Sequence, residues 1–161
     1  MQQFNERTTG QYRYCTFRLG DLVIGIDVRR VQEVLKHDQM TPVPLAPPEV
    51  RGLINLRGQI VTAVDLRGQL GLPSTTELAA SVVIRAGEDV FSLLVDEVGD
   101  VVMPSQDDFE PVPTGVPARV RQVVVGTINL SGKLVLVLDL DRVAARLEQR
   151  SESSTSLRRS A

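Results

Sequence analysis

Residues 52–66 read GLINLRGQIVTAVDL, and residues 126–140 read GTINLSGKLVLVLDL. The second stretch repeats the first at a constant offset of 74 residues. Identities fall at Gly52/Gly126, Ile54/Ile128, Asn55/Asn129, Leu56/Leu130, Gly58/Gly132, Val61/Val135, Asp65/Asp139 and Leu66/Leu140, with a conservative exchange at Val64/Leu138. Each copy reads as strand, tight turn, return strand, with Arg57-Gly58 and Ser131-Gly132 at the turns. A glycine there supplies the positive φ that two-residue hairpins demand. A looser match joins Leu19-Gly20-Asp21 to Ala86-Gly87-Glu88 at an offset of 67. Two copies of about 70 residues are too few for a solenoid. They fit two small barrels of similar topology that bury a face against each other, since each alone would be marginal by surface-to-volume scaling.

The rest of the chain repeats the theme. Valine-rich runs alternate with turn signals at intervals of roughly 8–12 residues, the pattern of an all-β barrel or sandwich. The 24 valines favour strands, because a β-branched side chain is stiff at χ1. Residues 12–19 and 22–28 form a hairpin about Gly20-Asp21. Residues 81–84, 90–95 and 98–102 repeat it about Gly87-Glu88, and 120–130 with 134–140 give the last strand pair. Residues 29–36, RRVQEVLK, place Val31, Val34 and Leu35 at helical spacing and favour a short helix over a continued extended segment. The proline-rich stretches 41–48 and 104–117 are connecting loops, because each proline removes a ladder donor. Residues 141–150, DRVAARLEQR, predict a helix capped by Asp141 with Val143, Ala144 and Leu147 as its apolar stripe. The Ser/Arg-rich stretch 151–161 is expected to be a flexible tail, as are residues 1–11, leaving one domain over 12–150.

Composition narrows the function. With 18 basic and 20 acidic side chains, nothing is left over for a broad basic face, which disfavours a nucleic-acid binder. One cysteine excludes an internal disulfide framework and a Cys-based zinc site. One histidine, His37, reads as a surface residue at a loop edge. The polar N-terminus and the lack of a long apolar run predict a cytoplasmic protein without membrane insertion. Of the basic residues, 16 are arginine, and arginine suits interfaces through its planar fork.

No catalytic constellation emerges. Cys15 sits inside a strand pattern as a small buried hydrophobe. Asp65 and Asp139 end matching strands; a carboxylate pair for acid–base work is conceivable, but the same residue at the same strand end of both copies reads as a turn or cap device. Arg57 stands out instead: it occupies a hairpin apex where the second copy has Ser131, an asymmetry that two different partners would produce. Glu33, beside Val31 and Val34, is either a solvated face or the rim of an interface.

GDLVIGIDVRRVQEVL (20–35) followed by TPVPLAPPEVRGLINLRGQIVTAVDLR (41–67) resembles the CheW family of chemotaxis coupling proteins, and the match extends over nearly the whole chain. SLLVDEVGDVV (92–102) looks like the family's second-half stretch, with Ser92 in place of its glycine. The resemblance implies a mainly β fold of two small SH3-like five-stranded β-barrels related by a pseudo-twofold, with a short C-terminal helix. It implies no enzymatic activity, no cofactor and no metal. The implied role is an adaptor that couples methyl-accepting chemoreceptors to the histidine kinase CheA, binding CheA's regulatory domain and the receptor's helical tip at receptor arrays. The same role in a pilus, second-messenger or developmental pathway is the alternative. A ligand-binding or enzymatic domain that borrowed the barrel is a third reading. By the same resemblance the receptor-facing positions are Val31, Glu33, Gly52 and Arg57; kinase-facing residues are not assigned. Arg29-Arg30 departs from the usual family pattern and predicts a more positive receptor groove.

Overall fold

The computed structural model describes residues 12–36, 40–75 and 80–159. His37 therefore lies outside the described residues. Among the described residues, eleven strands fall into two sheets. The first half of the chain supplies β1 (Tyr14–Leu19), β2 (Leu22–Asp27), β3 (Val31–Lys36), β4 (Val50–Leu56) and β5 (Gln59–Val64). The second supplies β6 (Ala80–Ala86), β7 (Asp89–Val95), β8 (Glu97–Val102), the short β9 (Phe109–Glu110), β10 (Val124–Leu130) and β11 (Lys133–Leu138). One sheet runs β8-β1-β2-β11-β10-β9 and the other β3-β6-β7-β5-β4. Each is the wall of a barrel-like subdomain, and β9 gives the first a sixth strand where five are expected.

The sequence repeat is exact in backbone terms. In β4–β5, Val50 pairs with Val64, a bulge follows, and Gly52 pairs with Ala63. In β10–β11, Val124 pairs with Leu138, a bulge follows, and Gly126 pairs with Val137. Adding 74 converts one register into the other. The looser offset of 67 holds equally: Leu19↔Leu22 in β1–β2 becomes Ala86↔Asp89 in β6–β7. It also carries Val31↔Ile84 onto Val98↔Phe17, so β3 and β8 are equivalents.

The barrels do not coincide with the halves of the chain. Hairpin β1–β2 joins the sheet of β8, β10 and β11, while hairpin β6–β7 joins that of β3, β4 and β5. The halves exchange their first hairpins through the parallel pairings β2–β11 and β5–β7. The core follows this exchange. Phe17, Ile24 and Ile26 of one sheet pack with Val64, Ile84, Phe91 and Leu93 of the other in a single large cluster. The clusters inside each barrel are small: Tyr14, Ile128, Val135 and Val137 in one, and Ile54, Ala63 and Leu94 in the other. Full burial of such side chains contributes about 1.5–3 kcal/mol each, so the shared cluster dominates the hydrophobic stabilisation.

Four expectations are corrected. Residues 29–36 are not a helix. A 3-10 turn, Val28–Arg30, capped by Asp27 Oδ1 accepting from the Arg29 amide at 3.0 Å, leads into strand β3. The apolar spacing is helical, but pairing with β6 decides for the strand. Residues 118–121 form a short helix, α1 (Ala118–Arg121), so the strand expected from 120 begins at Val124; Pro117, just before it, suits a helix start. The C-terminal helix, α2, spans Leu140–Arg159 and is capped by Asp139, whose Oδ1 accepts from the Arg142 amide at 3.1 Å, rather than by Asp141. It takes in most of the expected flexible tail: Leu140, Val143, Ala144 and Leu147 anchor its first turns on the shared core, and propagation from a packed nucleus adds one hydrogen bond per residue.

Candidate functional site

The four positions singled out in the sequence distribute over β3, β4 and the tip of the β4–β5 hairpin. Arg57 and Gly58 both have positive φ, 52° and 85°. Asn55 Oδ1 accepts from the Gly58 amide at 3.0 Å and closes the turn. A left-handed non-glycine residue is tolerated here because the flanking strands and the Asn55 bond over-determine the turn. The turn thrusts the Arg57 side chain outward, with 78% of it exposed.

From the tip, Arg57 reaches across to the edge of the sheet. Its Nη2 donates to Glu33 Oε1 on β3 at 2.8 Å. β3 and β4 are the two edge strands of their sheet, so this pair closes the mouth of the barrel between strands that share no ladder. Glu33 is half-buried and held by its strand. The arrangement offers partners a guanidinium whose direction is fixed by a carboxylate while its remaining donors face solvent.

Val31 and Gly52 take supporting roles. Val31 opens β3, is half-buried and packs against the shared core. Gly52 is buried on β4, five residues from Arg57, or roughly 16 Å along the strand. A Cβ there would stand 2.8 Å from the Thr41 carbonyl oxygen, so the glycine admits the proline-rich loop, tied down by reciprocal backbone bonds between Thr41 and Leu53 of 2.8 and 2.9 Å. The structure thus brings Arg57 and Glu33 together, places Val31 on the same strand as Glu33, and leaves Gly52 distant from the tip.

Other candidates resolve into structural parts. Asp65 Oδ1 accepts from the Arg67 amide at 2.9 Å, as Asp139 caps α2; both carboxylates serve the backbone at equivalent strand ends. Cys15 is half-buried, and burial first, then the Asp27 charge, push its thiol above its ordinary value, the reverse of what a reactive thiolate needs. Arg29 and Arg30 are paired with Asp27 at 3.0 Å and Asp141 at 3.4 Å, which blunts the excess of positive charge their sequence suggests. Sequence reasoning missed the Arg57–Glu33 pair, although opposite charges at two positions singled out independently were a usable signal. It also missed Arg67, only 3% exposed, which bridges Asp65 and Asp96 between the barrels. Among the described residues there is no cluster of side chains able to hold a metal ion and no helix long and apolar enough to cross a membrane.

The chain is thus a duplicated pair of barrel-like subdomains with a charged clasp at one hairpin tip. Residues 13–148 match the family model for the CheW-like domain, and the chain belongs to that family. It is 32% identical to the chemotaxis protein CheW of Rhizobium meliloti, over 84% of this chain and 89% of that one. It is 31% identical to CheW of Klebsiella aerogenes, over 88% and 86%. Protein FrzA of Myxococcus xanthus is 26% identical over 88% and 90%. The crystal structure of the scaffolding protein TtCheW from Thermoanaerobacter tengcongensis superposes with a TM-score of 0.73 at 25% identity, covering 81% of this chain and 90% of that chain.

Proposed function

We propose that this chain is a non-catalytic cytoplasmic adaptor that couples chemoreceptors to the histidine kinase CheA, and that the Arg57–Glu33 clasp, with Val31 beside it, is its receptor contact. Gly52 supports that face by seating the loop against β4. The observation that carries the reading is the tip itself. Arg57 and Ser131 have the same φ of 52° in turns of the same register, so the fold does not require an arginine there. An exposed guanidinium, oriented by Glu33 and unneeded for the turn, is suited to a carboxylate- and amide-rich helical tip. Weak individual contacts, around micromolar or about −8 kcal/mol, suit a component of a lattice in which many contacts sum.

The test titrates wild type, Arg57→Ala and Arg57→Lys against a receptor-tip fragment and against CheA's regulatory domain, with a thermal melt of each. Arg57→Ala should lose on the order of 2 kcal/mol of receptor binding, roughly thirtyfold. Folding stability should change by less than about 0.5 kcal/mol, because the pair it breaks is solvent-screened. Lysine should recover only part of the loss, since an ammonium cannot reproduce the fork. Unchanged receptor affinity in Arg57→Ala removes the residue from the site, and turnover of a metabolite at an enzyme-like rate overturns the adaptor reading.

The similarity to FrzA supports a second reading of the pathway, in which the same adaptor serves a chemosensory system other than flagellar motility. Deletion of the gene, scored for flagellar swimming against surface motility, separates the two.

A further inference from the structure

The mouth of the second barrel is open where that of the first is closed. In the first, one side-chain contact spans it, Arg57 with Glu33; beside it, Arg30 donates to the Arg85 carbonyl and the Gln32 amide oxygen accepts from Arg85 Nη2 and Nε at 2.8 and 2.9 Å, both along the paired edge of β3 and β6. At the equivalent positions of the second barrel, Ser131 stands for Arg57, Gly99 for Gln32 and Asp100 for Glu33. The register confirms the last equivalence: Val34 pairs with Val82, and 67 residues away Val101 pairs with Cys15; next to it Thr16 Oγ1 donates to the Asp100 carbonyl oxygen at 2.6 Å. Between β8 and the β10–β11 hairpin lies a groove of about 260 Å³, lined on its hairpin side by Leu130, Lys133 and Val135, which flank Ser131. A Cβ on Gly99 would fall 2.5 Å from Thr16 Oγ1, a residue that itself lines the groove.

The groove has a definite charge pattern. Val98, Val102, Leu130 and Val135 give it an apolar lining. Arg18, at its rim, is neutralised by Glu97 at 3.1 Å. Asp100 on the β8 side and Lys133 on the hairpin side are both exposed, and neither has an ion-pair partner among the described residues. The first barrel shows what meets an acidic residue at this place: an arginine reaching over from the hairpin tip.

We propose that this groove is a second docking site, and that it takes a partner protein's segment of the form arginine–apolar–acidic. The guanidinium pairs with Asp100 as Arg57 pairs with Glu33, the apolar side chain enters between Val98 and Leu130, and the carboxylate meets Lys133. The partner supplies in trans the arginine that the first barrel carries in cis. The site is separate from the Arg57 clasp, and its test does not involve a receptor.

The experiment titrates the isotopically labelled full chain with the blocked tripeptide acetyl-Arg-Leu-Glu-amide and follows backbone amides by NMR. Saturable shifts are expected at Thr16, Gly99, Asp100 and Lys133. Replacing the peptide's arginine by uncharged citrulline should weaken binding by about fivefold or more, as loss of a charge-assisted bond does. Asp100→Asn should do the same. Ser131→Arg supplies the guanidinium in cis and should abolish the saturable shifts. The turn accommodates it, since Arg57 already adopts the same φ of 52°. No saturable shift at these amides, equal affinity for the citrulline peptide, or full binding by either Asp100→Asn or Ser131→Arg would overturn the proposal.

Discussion

Hairpins β4–β5 and β10–β11 share register, bulge position and turn dihedrals, and in both an asparagine side chain accepts from the turn glycine's amide, at 3.0 Å for Asn55 and 3.1 Å for Asn129. They differ at the apex, where Arg57 clasps β3 and Ser131 makes no side-chain hydrogen bond among the described residues. The lesson is a division of labour between backbone and side chain. What the turn requires is repeated in both copies, and the arginine proposed for recognition is present in one. The same division recurs where the chain passes between barrels. Arg29-Arg30 in the first half stands opposite Asp96-Glu97 in the second at the 67-residue offset, and Arg67 opposite Asp141 at 74. The ion pairs joining these segments, Arg67–Asp96 and Asp141–Arg30, carry opposite charges at their ends, although Asp141 takes Arg30, one residue beyond Arg29, the counterpart of Asp96.

That reversal gives the largest contrast between the two latches. Arg67 is buried against Asp65 and Asp96, whereas the Arg30–Asp141 pair, at 3.4 Å, is largely solvent-exposed. Arg67→Ala removes the buried cation shared by two carboxylates, leaving Asp65 with Arg51 at 3.6 Å and Asp96 with the Gly20 amide at 2.6 Å, and should cost about 3 kcal/mol in urea denaturation. Asp141→Ala should cost less than about 0.5 kcal/mol in the same assay. Equal costs would break the distinction between a buried and an exposed latch.

The turns should behave alike where the latches do not. Asn55→Ala and Asn129→Ala each remove the acceptor of one turn amide and should each destabilise by about 1 kcal/mol. A difference between them larger than about 0.5 kcal/mol, read from paired denaturation curves, would mean that the apex residue contributes to the turn after all.

The smallest effect has the opposite sign. Ser92 stands where the other barrel has Gly25, and among the described residues its buried hydroxyl has no hydrogen-bond partner. Ser92→Ala removes that stranded group and keeps most of the volume, so it should raise stability by up to about 1 kcal/mol. A loss of stability in a thermal melt would show that the hydroxyl is satisfied in solution.

How legible was this molecule in its sequence? The hairpins were, because each is written locally: short apolar runs on either side of a glycine needing positive φ. The strand β3 was not. Val31, Val34 and Leu35 stand at helical spacing; in the strand only Val31 and Leu35 share the half-buried face and Val34 is exposed, and the strand that decides, β6, lies nearly 50 residues away. The cap of α2 was misplaced by two residues because Asp139 and Asp141 are chemically equivalent candidates. Of the site, the exposed arginine was legible from its mismatch with Ser131. Its partner Glu33, 24 residues distant, was visible only as a charge among valines. The exchange of hairpins was invisible to any local rule, since a parallel pairing leaves no turn signature between its strands.

That exchange has a consequence for the polypeptide as a heritable object. A half-chain ending in the connection between β5 and β6 would carry five strands and still not own a barrel, because its β1–β2 ribbon belongs with the other half's strands and its β3–β5 strands await the other half's ribbon. Two identical half-chains could satisfy every one of these pairings only by trading ribbons as a symmetric dimer, with the shared apolar cluster at the dyad. Joining them end to end frees each copy to mutate by itself, which is what allows Arg57 and Ser131, or Arg67 and Asp141, to diverge on an otherwise twofold frame.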